Sequence, residues 1–82
     1  MTRTKNSSLT NALRILKCFS IDQTELTLDE IATMNNISKS TACRLVQTLE
    51  SEGFVIQNTR YNTYHLGLSM LYLSNVMLER FY

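Results

Sequence analysis

The stretch that decides the fold covers residues 27–53 and reads TLDEIATMNNISKSTACRLVQTLESEG. Thr27, followed three residues later by a glutamate, is a capping box, which predicts that a helix begins here. Asn35-Asn36 interrupts the apolar pattern, and asparagine readily adopts the left-handed conformation of a tight turn. Ser38 is a good N-cap for a second helix, and Gly53 is placed to end that helix. Two short helices joined by such a turn form a helix-turn-helix.

The second helix has one apolar face and one polar face. The apolar residues follow the spacing i, i+3, i+4 and i+7: Ala42, Leu45, Val46 and Leu49. The first turn and the opposite face carry polar or small side chains: Ser38, Lys39, Ser40, Thr41, Cys43, Arg44 and Gln47. Arginine and glutamine can contact base edges in the major groove, while lysine, serine and threonine suit phosphates. The alternative is a solvated polar face on an ordinary three-helix domain.

After the second helix the pattern becomes extended. Residues 54–57 and 64–66 are rich in β-branched and aromatic side chains, and the six residues between them are polar and turn-prone. They predict a β-hairpin, the wing of a winged helix, and residues 25–26 are expected to add a short third strand. Arg60 and Tyr61 near the tip are placed to contact phosphate or the minor groove. A solvent-exposed turn without a role in binding is the alternative.

Two helices are predicted to flank this unit. The first carries an apolar stripe with Ser7 or Ser8 as its cap: Leu9, Ala12, Leu13, Leu16 and Phe19. The last, residues 68–82, is apolar nearly all round, so a second copy of the chain or a further domain is expected to cover it. Its candidate interface residues are Leu71, Leu73, Val76, Met77, Leu78 and Phe81. Residues 1–7 form a basic polar arm, expected to be flexible or to reach along DNA phosphates.

Composition narrows the class of protein. The 82 residues are 44% hydrophobic, with two Gly and no Pro, which is typical of one small helix-rich domain without a membrane span or signal peptide. Cys18 and Cys43 lack the spacing of metal ligands or a disulfide framework, so no metal is expected and the cytoplasm is the expected compartment. A single His and the absence of a catalytic constellation or phosphate loop argue against an enzyme or a cofactor.

Net charge is only +1, but the charges are segregated along the chain. Basic residues gather in the first 17 residues, the second helix of the helix-turn-helix and the hairpin tip, while residues 22–30 carry four acids and no base. This is the distribution that an oriented polyanion binder needs. Asp29 and Glu30 also suit a helix N-terminus, which explains part of the pattern without DNA.

Three segments together resemble the N-terminal DNA-binding domain of the isocitrate lyase regulator (IclR) family: SLTNALRILKCF, LTLDEIATMNNISKSTACRLVQTLESEGFV and TYHLG. The similarity covers about residues 8–71. It implies a winged helix in residues 1–67 and a linker or dimerisation helix after it. It also implies a bacterial transcription regulator, more often a repressor than an activator, that binds operator DNA as a dimer or as a pair of dimers. Family members carry a C-terminal domain for a small-molecule effector, which is expected to be absent from this chain.

The chain departs from the family pattern at several positions. Asn11 stands where the family usually has an arginine, Asn36 replaces the usual turn glycine, and the hairpin tip reads Arg60-Tyr61-Asn62 where glycine or acidic residues are common. Cys43 stands at a position that varies between family members, so the resemblance does not carry over sequence specificity. A winged-helix module for protein interaction or dimerisation, without DNA binding, is the alternative function.

Overall fold

The computed structural model describes residues 7–81 and shows helices at both ends with a hairpin between them. In chain order the elements are α1 (Ser7–Leu16), α2 (Leu28–Asn35), α3 (Lys39–Ser51), β1 (Val55–Asn58), β2 (Thr63–Leu66) and α4 (Leu68–Glu79). The predicted mainly helical winged helix-turn-helix is confirmed in this order of elements. The expected basic arm, apart from its last residue, and the final residue of the predicted last helix lie outside the described residues.

The start of α2 is held by the predicted capping box. Thr27 Oγ1 accepts a hydrogen bond from the amide of Glu30 at 3.1 Å, and Glu30 Oε1 accepts one from the amide of Thr27 at 2.8 Å. Leu26 before the cap and Ile31 after it are both fully buried, as a hydrophobic staple requires. The helix ends where Asn36 takes the left-handed conformation, with φ of 54°. Local sequence therefore sets both ends of this helix.

Helix α3 also begins and ends at the expected residues. Ser38 Oγ accepts a hydrogen bond from the amide of Thr41 at 3.1 Å, so Ser38 is the N-cap. At the other end, Gly53 has φ of 83°, a value that glycine adopts without strain. The amide of Phe54 reaches Leu49 O at 2.9 Å and the amide of Gly53 reaches Glu50 O at 3.0 Å. These paired bonds form a Schellman motif, which turns the chain sharply into β1.

The core lies between the first three helices and the inner face of the hairpin. Its buried members are Ile15, Leu26, Ile31, Ala32, Ala42, Leu45, Val46, Leu49, Val55 and Tyr64. The predicted apolar face of α3 is thus confirmed in full. Strands β1 and β2 pair antiparallel with Val55 opposite Leu66, and Leu26 adds a one-residue antiparallel bridge to Tyr64, where the short third strand was expected.

The stripe predicted for α1 is partly wrong. Leu9 and Leu13 are 55% and 51% exposed, whereas Ile15 is fully buried. The stripe that packs on the core comprises Ala12, Ile15, Leu16 and Phe19. Leucines occur on two neighbouring faces of this helix, so the periodicity alone permits either face to turn inward. Ser7 and Ser8 already lie within the first turn of α1, so neither precedes the helix as a cap.

Helix α4 is attached at its first turn and buries none of its residues. The amide of Gly67 donates to Phe54 O at 2.8 Å, and the amide and hydroxyl of Ser69 donate to Gly53 O at 3.1 Å and Glu52 O at 2.8 Å. The start of α4 is therefore bonded to the end of α3. The helix ends at Glu79 rather than continuing through residue 82 as predicted.

Candidate nucleic-acid interface

The polar face of α3 is open to solvent. Lys39, Ser40, Arg44 and Gln47 are exposed, while Thr41 and Cys43 are half-buried at its margins. Because the apolar face of the helix is anchored in the core, the polar face is held in a fixed orientation. The side chains that were predicted to contact DNA from this helix therefore share one accessible surface.

Hydroxyl groups at the start of α3 are bonded to one another. The Ser38 hydroxyl donates to Thr41 Oγ1 at 2.9 Å and lies 3.2 Å from the hydroxyl of Ser40. The first amides of a helix point outward beside these groups, and the positive end of the helix dipole lies there as well. Three ordered hydroxyls next to free amides suit hydrogen bonding to phosphate oxygens.

The cationic side chains of this surface differ in whether a carboxylate lies beside them. Lys39 Nζ lies 3.2 Å from Asp29 Oδ1 in the first turn of α2. Arg44 and Arg60 form no ion pair with any carboxylate among residues 7–81. Arg44 and Arg60 can therefore bind a polyanion without breaking an ion pair, whereas Lys39 must first leave Asp29.

Cys43 lies at the edge of the polar face, toward the hairpin. It is a free, half-buried thiol close to the buried side chain of Tyr64. Burial raises the pKa of the Tyr64 hydroxyl, and the ionisable groups of Cys43 and Glu50 raise that pKa further. Since Tyr64 packs against this side of α3, Cys43 is less accessible to a ligand than Ser40, Arg44 or Gln47.

The hairpin tip is ordered by its own side chains. Asn58 Oδ1 accepts a hydrogen bond from the amide of Arg60 at 3.1 Å, and Gln57 Nε2 donates to Asn62 Oδ1 at 3.2 Å. Asn62 takes the left-handed conformation with φ of 55°, which asparagine tolerates in a turn. The guanidinium of Arg60 lies 5.4 Å from the centre of the Tyr61 ring, within the range of a cation–π contact. An exposed cation and an exposed aromatic ring thus stand together at the tip.

A cleft joins the hairpin tip to the start of α3. It has a volume of about 260 Å³ and is lined by residues from α2, α3 and the hairpin: Thr27, Leu28, Asp29, Lys39, Tyr61, Asn62 and Tyr64. Lys39 and Tyr61, which are 22 positions apart in the chain, therefore border the same depression. The first turn of α3 and the tip of the wing open toward the same side of the molecule.

Sequence reasoning missed the acidic neighbour of this surface. The polar face of α3 itself has no acid before Glu50, but Asp29 reaches it from α2. Asp29 had been explained by its place in the first turn of a helix. Its contact with Lys39 depends on how the turn between the helices folds, and no spacing rule within one helix predicts it. The paired contact between Arg60 and Tyr61 also follows from the folded turn.

Neither a metal site nor a membrane-spanning helix is found among the described residues. Within residues 7–81 no three His, Cys, Asp or Glu side chains are grouped so that they could hold a metal ion. Over the same residues, none of the helices combines the length and the apolar character that crossing a membrane requires.

Comparison with known proteins places this geometry in a family. The model of the IclR helix-turn-helix domain matches residues 8–59. The HTH-type transcriptional regulator XynR of Escherichia coli (strain K12) is 36% identical over 64 residues, which are 78% of this chain and 25% of XynR. The glycerol operon regulatory protein of Streptomyces coelicolor is 33% identical over 88% of this chain and 28% of its own length.

Solved structures agree with the sequence comparisons. An IclR family transcriptional regulator from Brucella abortus superposes with a TM-score of 0.84 and 32% identity, over 93% of this chain and 29% of the other. The chain thus spans between a quarter and a third of the length of the relatives named here. Each of these relatives bears the name of a regulator, which agrees with the prediction that this chain is not an enzyme. The match over residues 8–59 and the shared winged helix establish that the chain belongs to the IclR family of helix-turn-helix transcription regulators.

Proposed function

We propose that this chain is the sequence-specific DNA-binding domain of an IclR-type regulator and that it binds double-stranded operator DNA. Helix α3 enters the major groove, where Arg44 and Gln47 read base edges. Ser38, Lys39, Ser40 and Thr41 bind the phosphates at the start of the helix, with Cys43 at the margin. The observation that supports this proposal is the cleft that joins the first turn of α3 to the hairpin tip, so that both open toward the same side of the molecule.

The hairpin acts as the wing in this proposal. Arg60 and Tyr61 contact the flanking backbone or the minor groove, next to the groove that α3 occupies. An exposed guanidinium without a carboxylate partner among residues 7–81 suits a phosphate, and the Tyr61 ring keeps it near the tip. Repression is the mode of regulation that the family resemblance favours, and the cytoplasm is the compartment in which a bacterial operator lies.

Substitution of Arg44 tests base reading directly. The wild-type chain is first used to enrich the duplexes that it binds from a random pool. Each duplex has about 40 base pairs, which is long enough for two half-sites one helical turn apart. Arg44→Ala is expected to bind the enriched sequence about 5- to 150-fold more weakly and to accept any base at one position, because a bidentate contact to guanine would be lost. Fluorescence anisotropy at two salt concentrations measures both effects.

The control for Arg44→Ala is Arg80→Ala, which removes the same charge from an exposed position at the end of α4, outside the three basic segments. Its affinity and its preferred sequence should stay close to those of the wild type. If Arg44 contacts only phosphate, the loss will be uniform across sequences and the salt slope will fall by about one. A folded wild-type dimer that enriches no sequence would contradict sequence-specific binding.

We further propose that two copies associate through α4. None of its residues is buried in the single chain, and Leu71 and Tyr72 on the helix and Phe81 just after it are 57%, 69% and 72% exposed. Apolar surface of this extent on a small domain is typical of an interface. A two-fold dimer would present two α3 helices to half-sites about 34 Å apart or a multiple of that distance. A small-molecule effector would act through a C-terminal domain of the kind that the resemblance implies.

Acidic substitutions on α4 test the dimer. Leu73→Glu combined with Met77→Glu places two charges one helical turn apart on the proposed interface, so the sedimentation mass is expected to fall from that of a dimer to that of a monomer. Asn75→Glu adds charge at an exposed polar position of the same helix and should leave the mass unchanged. A wild-type chain that remains monomeric at every concentration would show that α4 does not bind a second copy.

The second candidate function is a protein-interaction module without DNA binding. The uncovered apolar helix α4 favours it. The exposed face of α3 opposes it, because a protein-binding surface is usually depleted of charge at its centre. The Arg44 experiment separates the two functions, since an interaction module would show no sequence preference.

A further inference from the structure

The turn of the helix-turn-helix brings an acid onto the first cation of α3. Asp29 is the second residue of α2 and Lys39 is the first residue of α3. Their charged atoms lie 3.2 Å apart, and the two side chains are 75% and 64% exposed. The pair therefore lies at the surface, at the edge of the cleft that leads to the hairpin tip.

Asp29 takes no part in the capping box that begins α2. The capping box of α2 is completed by Glu30, whose carboxylate accepts the amide of Thr27 at 2.8 Å. The contact that the structure gives the Asp29 carboxylate is the ion pair with Lys39. Its charge therefore acts on the candidate DNA-binding surface in addition to favouring the positive end of the α2 dipole.

We propose that Asp29 is a positioning residue that restrains Lys39 in the free protein and thereby weakens binding to DNA of arbitrary sequence. On binding, Lys39 moves from Asp29 to a phosphate. An exposed ion pair is weak enough for a phosphate to replace it. Phosphate contacts supply most of the affinity for DNA of arbitrary sequence, so holding Lys39 against Asp29 lowers that affinity. The cost of breaking the ion pair is the same for every DNA sequence, so the base preference proposed for Arg44 is unaffected. This inference rests on the proposed DNA-binding function.

The test compares four chains on one duplex of arbitrary sequence: wild type, Asp29→Asn, Lys39→Gln and the double variant. Asp29→Asn is expected to bind about two- to five-fold more tightly, the range that an exposed pair supports. Its plot of log affinity against log salt should keep nearly the wild-type slope, because Lys39 contacts a phosphate in the complex of either chain. In the Lys39→Gln background the same substitution should change neither the affinity nor the slope.

Two further variants separate position from charge. Asp22→Asn makes the same chemical change in an exposed loop and should leave affinity near that of the wild type. Asp29→Glu keeps the negative charge beside Lys39, so its affinity for nonspecific DNA should be as low as that of the wild type. Thermal unfolding of each variant verifies that the fold is retained, since loss of structure would weaken binding rather than strengthen it.

The outcomes distinguish this inference from the proposed function. Tighter binding that appears only when Lys39 is present supports the inference. An equal gain with and without Lys39 would mean that Asp29 repels DNA directly, and an unchanged affinity would mean that the pair has no effect; either result overturns it while leaving DNA binding intact. If the folded wild-type chain binds no duplex even at low salt, the proposed function fails and the inference fails with it.

Discussion

Replacing Gly67 with alanine is expected to lower the free energy of unfolding by about 3 kcal/mol, the upper end of the range for overpacked sites. A Cβ at this position would lie 2.3 Å from the carbonyl oxygen of Gly53 and 3.0 Å from its carbonyl carbon. Both atoms belong to backbone at the end of α3. That backbone cannot move aside without losing the hydrogen bond from the amide of Ser69 to Gly53 O at 3.1 Å. The clash therefore strains the junction between α3 and α4.

Thermal unfolding followed by circular dichroism measures this effect. About 3 kcal/mol corresponds to a decrease of roughly 12–24 °C in Tm for a domain of this size. The matched control is Leu68→Ala, since the neighbouring side chain is 74% exposed and its truncation should change Tm little. If Gly67→Ala melted together with the control, the backbones of the two segments would have to be further apart than the structure shows.

Replacing Ile31 with alanine is expected to cost about 2–5 kcal/mol of unfolding free energy. The side chain is fully buried beneath the capping box of α2 and packs in the same core as Leu26 and Val46. Its removal leaves a cavity that the surrounding helices can fill only in part. Because a small domain has a total stability of about 5–15 kcal/mol, this single change approaches the limit for folding.

Chemical denaturation gives the free energy, and DNA binding is expected to weaken in proportion to the unfolded fraction. Met34→Ala on the same helix is the control, because that side chain is 49% exposed and should cost far less. Equal losses for the two variants would mean that Ile31 does not anchor α2 in the core. The orientation of α2 matters for the site, since it sets where Asp29 meets Lys39.

Much of the candidate site could be predicted because its elements are specified locally. The capping box at Thr27, the N-cap at Ser38 and the C-terminal turn at Gly53 each depend on residues within one helical turn. The apolar face of α3 follows from one unambiguous stripe, so its polar face follows as well. The hairpin was expected because β-branched and aromatic runs flank a turn-prone segment.

Prediction was weaker where two local patterns were equally good. In α1, Leu9 and Leu13 compete with Ile15 for the inward face, and the choice depends on which face meets α2 and α3. In α4 the apolar residues surround the helix, so periodicity indicates no single packing face. Helical periodicity identifies the buried face of a helix from the spacing of its apolar residues. It cannot choose a face when the apolar residues satisfy several spacings at once.

The sequence by itself determined the helix-turn-helix, its boundaries, the hairpin and the list of polar side chains on α3, because caps, turns and helical periodicity act between residues close in the chain. Only the tertiary structure decided that Asp29 pairs with Lys39, that Tyr61 borders the same cleft as Lys39, and that Gly67 lies against Gly53. Each of these contacts joins residues 10 or more positions apart. Their distances depend on how whole elements pack around a shared core, which no local pattern specifies.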